Sequence, residues 1–214
     1  MAYSRNDAPV HFAGRTLGAE GHVCAFFRSS DEEYRTLLPF IKEGLESGEK
    51  AFHVVDPSKG DEHRARLEAF GIKVGEYERA GVFELHGWNT TYFPDGRFDQ
   101  ERTLSMWQAS FDTAGRLGYP PTRVVAHMEW TLEKLPGVDD LLEYETRSNL
   151  LRRYDNLLIC VYDLTRFRAD VIVDVIRTHP LIIVGGLLQE NPFYMPPDQF
   201  LSELRERAAS ASRV

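Results

Sequence analysis

The sequence is short of cysteine, of excess positive charge and of long apolar runs, and each shortage excludes a class of protein. Only Cys24 and Cys160 occur in 214 residues, and both sit inside apolar stretches. A disulfide framework is not indicated, which points to a reducing compartment. The 25 Lys and Arg are outweighed by 33 Asp and Glu, a formal net charge of −8. Non-specific binders of nucleic acid or anionic membrane need clustered cations to displace counterions, so neither partner is expected. The cationic group Arg147, Arg152 and Arg153 lies beside Glu143, Glu145 and Asp155 and reads as a solvated helix face. The longest apolar run, Pro180 to Leu188, is far short of the roughly 20 residues that span a bilayer. The opening MAYSRNDAPVHFAG lacks the apolar core of a signal peptide. The expected location is the cytoplasm.

What is present is a regular alternation. HVCAFF (22–27), AFHVV (51–55), a short strand at 82–85, RVVAHMEW (123–130), NLLICVY (156–162) and LIIVGG (181–186) read as strands. Between them lie amphipathic stretches: 33–45, 62–70, 98–117, 138–154 and 169–178, with a last helix at 197–208. Near-continuous apolar strands alternating with helices predict a mostly parallel sheet covered on both faces, a three-layer α/β domain. Residues 1–20 read as a loosely ordered arm, and 21–214 as one domain with no internal repeat or linker.

In such sheets ligands bind beyond the carboxyl ends of the strands, and the first of those loops lacks something specific. A phosphate cradle needs glycines for close backbone approach, a Lys, and a Ser or Thr for magnesium. The loop Phe27-Arg28-Ser29-Ser30-Asp31-Glu32-Glu33 has no glycine and no lysine, and three consecutive acids instead. They would repel a triphosphate by several kcal/mol in a cleft of low effective dielectric. No GxSxG turn marks a hydrolase of the Ser/His/Asp type.

The remaining polar residues near strand ends are few. His22 and Cys24, two apart on a strand, face the same side. With Cys160 and His179 they form a candidate set for a soft metal, a haem or an electrophilic ligand, although a Cys in an apolar strand is commonly a small buried hydrophobe. Phe26 and Trp130 are candidate walls of an apolar pocket. Glu129, at a strand end, is a candidate hydrogen-bond partner for a ligand. Asp163 reads as a helix cap. Glu145 and Asn149, four apart, share a helix face whose spacing alone reads as solvated. Trp88, Tyr92, Phe93, Phe193 and Tyr194 either lid a cavity or pack under a loop.

The segment GHVCAFFRSSDEEYRTLLPFIKEGLESGEKAFHVVD (21–56) is similar to the opening of RecA-like ATPases of the circadian-clock type, with the phosphate loop replaced. Over roughly residues 20–205 the chain resembles more specifically the MEDS family, the methanogen/methylotroph sensory domain. The segments that carry the resemblance are HVCAFF (22–27), LLPFIKEGLESGEKAFHVVD (37–56), AHMEW (126–130) and YETRSN (144–149). CVYDLTRF (160–167), RTHPLIIVGG (177–186) and NPFY (191–194) continue it. The resemblance implies a RecA-like fold without a P-loop and a non-enzymatic sensor of small molecules, proposed to be hydrocarbon derivatives. It also implies a role in signal transduction or transcriptional control. It moves Glu145 and Asn149 from a solvated face toward a structural or pocket-edge role. Output then runs through a protein partner or a homodimer. The expected ligand-contacting residues are His22, Cys24, Phe26, Glu129, Trp130, Cys160 and His179, with no cofactor assigned and a metal or haem at His22, Cys24, Cys160 and His179 left open. The alternatives are a divergent nucleotide-binding ATPase using Glu129 and a ligand-free scaffold signalling by dimerisation.

Overall fold

The computed structural model describes residues 10–16, 21–117, 121–151 and 156–211. The strands are β1 (His11–Phe12), β2 (Arg15–Thr16), β3 (His22–Phe27), β4 (Lys50–Val55), β5 (Phe83–Gly87), β6 (Thr122–His127), β7 (Leu157–Asp163), β8 (Leu181–Val184) and β9 (Leu187–Glu190). The helices are α1 (Ser30–Glu46), α2 (Gly60–Ala69), α3 (Val74–Arg79), α4 (Trp88–Thr91), α5 (Gln100–Arg116), α6 (Leu141–Ser148), α7 (Ala169–Thr178) and α8 (Pro197–Ala211).

Seven strands form one sheet in the order β5-β4-β6-β7-β3-β8-β9. All neighbours are parallel except β8 and β9, which turn back antiparallel through Gly185-Gly186. Both glycines have positive φ, 60° and 74°, which L-residues with a Cβ rarely adopt. Strand parity sorts the core into two layers. Val23, Ala25, Phe27, Ile159 and Val161 pack with Leu37, Ile41 and Leu45 of α1, Leu67 of α2 and Val74 of α3. Cys24, Phe26, Leu158, Cys160 and Tyr162 face the other way, onto Trp107 of α5, Tyr144 of α6 and Val175 of α7. The expected three-layer architecture is therefore present, with six parallel strands and an antiparallel edge.

Several local expectations change. Residues 10–16, read as part of a loose arm, form the β1–β2 hairpin, with Phe12 stacked on Phe40 at 4.2 Å; the rest of the arm lies outside the described residues. The strand expected to run to Trp130 stops at His127, because residues 128–132 coil into a 3-10 turn. The helix expected over 138–154 is α6 at 141–148 only, with residues 152–155 outside the described set. The aromatic stretch after β5 contains the single turn α4, not a continuous loop. Among the described residues no helix is long and apolar enough to cross a membrane.

Candidate functional site

A cleft opens where four central strands end. Its lining comes from β3 and α1 (Phe27, Ser29, Ser30, Glu33, Tyr34), β4 (Val55, Asp56, Lys59), β6 (His127, Glu129) and β7 (Val161, Asp163, Arg166), with Glu62 and His63 of α2 opposite. This is the crevice a parallel sheet offers to ligands, because β3 and β4 send their helices to one face and β6 and β7 to the other. The cleft holds a cavity of about 40 Å³, room for a few heavy atoms and far below a nucleotide's volume.

The helix N-terminus that would grip phosphate is partly capped by the chain itself. Ser29 Oγ accepts from Glu32 N at 3.2 Å, and Glu32 Oε2 accepts from Arg28 N at 2.9 Å, a reciprocal cap. Asp31 is tied outward to Arg66 at 2.8 Å. Glu33 turns inward and accepts from His127 Nε2 at 2.8 Å. Burial alone would lower the pKa of His127, but the charge and hydrogen bond of Glu33, with the charge of Glu129 added, raise it.

Behind this pair runs a hydrogen-bonded chain that sequence reasoning did not single out. His53 Nδ1 and His63 Nε2 are 2.8 Å apart, and His63 Nδ1 lies 2.8 Å from the Tyr34 hydroxyl. Burial, helped by the charge of His127, depresses His53 to about 3; burial and then His53 keep His63 well below its usual range. Both rings are therefore neutral. His53 Nε2 is buried without a hydrogen-bond partner among the described residues, and an unpaired lone pair there costs less than an unpaired N–H. That orients the chain: His53 donates to His63, His63 donates to Tyr34, and the Tyr34 proton is left for the cleft. The available signal was a His inside each of two apolar strands, AFHVV and VVAHMEW.

The expected ligand residues divide between this cleft and the opposite face of the sheet. Glu129 lines the cleft. Trp130 does not: it is fully buried, stacked on Tyr92 at 4.5 Å and packed against Phe98 at 4.5 Å. Phe26 is buried beside Tyr162, ring centroids 5.7 Å apart. Tyr92 and Phe93 join the same aromatic cluster, with Trp88 at its margin, while Phe193 is exposed. His22, Cys160 and His179 meet on the α6/α7 side of the sheet and none of them lines the cleft, so these side chains and Glu129 do not build one pocket.

Glu145 completes that second constellation. The solvated face that spacing alone suggested for Glu145 and Asn149 gives way to the structural role that the resemblance implied, because both residues are buried. Glu145 Oε2 lies 3.3 Å from His22 Nε2, 3.4 Å from His179 Nε2 and 3.5 Å from Cys160 Sγ, and Cys160 Sγ is 3.5 Å from His22 Nε2. The outer atoms are held as well. His22 Nδ1 meets Asn149 Oδ1 at 3.2 Å, His179 Nδ1 meets the Val175 carbonyl at 2.9 Å, and Tyr162 donates to Glu145 Oε1 at 2.5 Å. Burial favours a neutral Glu145, but the charge and hydrogen bond of His179, followed by those of His22, hold its pKa below the usual range. Cys24 borders this set without being one of the four, its thiol 3.8 Å from the Leu181 carbonyl. Asp163 accepts from Thr165 N and Oγ1, capping the turn that follows β7, whereas α7 begins six residues later, after its N-cap Arg168.

The fold and sequence have recognisable relatives. A solved KaiC-like protein from the hyperthermophilic archaeon Pyrococcus horikoshii superposes with a TM-score of 0.52 at 14% identity, over 76% of this chain and 70% of that one, which shows a shared RecA-like fold. The transcriptional repressor DcmR of Methylorubrum extorquens strain DM4 is 24% identical over 183 residues, 82% of this chain. The match spans 64% of that repressor's length. The MEthanogen/methylotroph, DcmR Sensory domain profile matches residues 21–180. The chain belongs to the MEDS family.

Proposed function

We propose that this domain is a non-enzymatic sensor that binds a small uncharged molecule, a hydrocarbon derivative of a few heavy atoms, in the carboxyl-edge cleft. The observation that carries the reading is the cap of α1: in the loop where a nucleotide-binding protein offers N–H groups to phosphate, the Glu32 and Arg28 N–H groups are taken by the Ser29 and Glu32 side chains. Glu33, Asp56, Glu62, Glu129 and Asp163 outnumber Lys59 and Arg166 around the cavity, so an anion meets net repulsion. A neutral hydrogen-bonding ligand instead finds the Tyr34 hydroxyl, backed by two histidines, with Phe27, Val55 and Val161 as apolar wall. The small cavity supports a correspondingly small ligand.

The similarity to a repressor supports a regulatory output passed to a protein partner. The net charge of −8 argues against direct contact with nucleic acid.

The test is a thermal-shift screen with one- to three-carbon alcohols, amides and halomethanes, run beside magnesium ATP. At least one neutral compound raises the melting temperature of the wild-type chain, and Tyr34→Phe reduces that shift without lowering the unliganded melting temperature by more than a few degrees. Micromolar binding of magnesium ATP would overturn the reading in favour of a divergent nucleotide site at Glu129. Concentration-dependent dimerisation with no response to any probe would instead favour a scaffold.

A further inference from the structure

We propose that His22, Glu145, Cys160 and His179 bind one divalent transition ion of the zinc class in a closed tetrahedral site between the sheet and helices α6 and α7. This site is independent of the cleft: its side chains leave β3 and β7 on the α6/α7 side, whereas Tyr34 and His63 belong to the α1/α2 side.

The geometry carries the inference. A tetrahedral zinc ion has bonds of about 2.0–2.2 Å to nitrogen and oxygen and about 2.3 Å to sulfur, so ligand atoms sit about 3.3–3.5 Å apart, and about 3.5–3.7 Å where sulfur is one of the pair. Here the nitrogen–oxygen separations are 3.3 and 3.4 Å, and the two measured sulfur separations are both 3.5 Å. One ligand atom from each of the four residues lies within 4.8 Å of the others. Four edges of the tetrahedron are thus at metal-site length without any ion to set them.

The hydrogen bonding points the same way. Asn149 gives its amide protons to the Glu145, Thr146 and Thr178 carbonyls, which leaves its Oδ1 to accept from His22 Nδ1. The Val175 carbonyl accepts from His179 Nδ1. Each outer nitrogen therefore carries a proton, so Nε2 is the atom that each ring turns inward and, once free of a proton, it offers a lone pair there, the arrangement by which metal-binding histidines are oriented. His179 Nε2 is fully buried and faces Glu145 Oε2 at 3.4 Å. Two nitrogen lone pairs, a carboxylate oxygen and a sulfur converge on one buried point, and a cation is what such a point stabilises.

Charge balance closes the case. Binding releases to solvent the Cys160 thiol proton and any proton held on a histidine Nε2, and forms the sulfur–metal and nitrogen–metal bonds in their place. One thiolate, one carboxylate and two neutral imidazoles then cancel a dipositive ion, leaving no net charge in the interior. With all four positions taken by protein the site is structural: it fastens β3, β7, α6 and the α7–β8 turn together. Cys160 and Glu145 occupy the directions a porphyrin plane would need, so the set suits a bare ion and not a haem.

The experiment is elemental analysis of the full chain as purified, followed by exchange with cobalt(II). About one zinc-class ion per chain is expected, with cobalt giving tetrahedral visible bands and a thiolate-to-cobalt charge-transfer band. The charge-transfer band is lost in Cys160→Ser and kept in Cys24→Ser, and chelation lowers the wild-type melting temperature. Retention of the band in Cys160→Ser, or its loss in Cys24→Ser, overturns the assignment. Should Cys160→Ser not fold, the wild-type cobalt spectrum decides: a folded chain that takes up no cobalt, or takes it up without the band, refutes the proposal.

Discussion

Glu33 and His127 form an ion pair in the cleft that lasts only while His127 holds its proton. The folded pKa of His127 is raised, so the pair contributes its full stability below the unfolded value of about 6.5 and loses it as pH rises through the folded value. Glu33→Gln should therefore destabilise the domain by about 1–2 kcal/mol at pH 6, the scale of a buried charge-assisted hydrogen bond, and by clearly less at pH 9. Urea denaturation at the two values checks this, and an equal loss at both would show that the pair does not titrate. At this scale the sequence is only partly legible. A polar residue inside an apolar strand, such as His22 or His127, announces itself by breaking the run. Tyr34, His63 and Glu145 do not, because each sits on an amphipathic helix where a polar residue is ordinary, and only packing shows which way it faces.

The four central strands β3, β4, β6 and β7 were legible as elements because burial on both faces forces apolar runs, whereas α3, α4 and β9 are too short to carry a periodicity of their own. Their boundaries are set by tertiary contacts. The carboxyl end of α1 shows how such contacts constrain a single position. Arg123, at the start of β6, is buried; its guanidinium reaches the Phe40 carbonyl at 2.5 Å, Glu43 at 2.6 Å and, in a close contact, Glu49, and stacks over the Phe40 ring at 4.3 Å. Gly44 lies directly against it: a Cβ there would come within 2.5 Å of Arg123 Nε. A pinned guanidinium has nowhere to move, so Gly44→Ala should cost about 2–4 kcal/mol despite the better helix propensity of alanine. An exposed helical glycine would gain instead, and a stabilised Gly44→Ala in thermal melts would refute the packing argument. At the other end of α1, Ser29→Ala removes the cap and should cost about 1 kcal/mol. It should not create magnesium ATP binding in calorimetry, since the loop still lacks glycine and lysine.

Across the whole molecule, the two faces of the sheet have different chemistry, and the division was not visible in a one-dimensional reading that placed His22, Cys160 and His179 with Glu129. Strand parity separates them, but only the strand order tells which helices cover which parity. The α1/α2 face buries two neutral histidines, and this sets the acid limit of the fold. His53 is depressed to about 3 and His63 is also well below its normal range, while in the unfolded chain both bind protons near pH 6.5. Stability supplied by keeping them neutral is complete above that value and is lost as pH falls toward the folded pKa values. Each contributes a loss of about 1.4 kcal/mol per pH unit once the unfolded chain is protonated and the fold is not. Between pH 6.5 and 5 the two together should remove about 3–4 kcal/mol, a large part of a typical domain's margin. The expected result is cooperative acid unfolding well above the carboxylate range, followed by far-ultraviolet circular dichroism against pH. A His53→Phe, His63→Leu double variant that keeps the fold should move the midpoint to lower pH. An unmoved midpoint would mean that acid unfolding is governed elsewhere, on the α6/α7 side of the sheet.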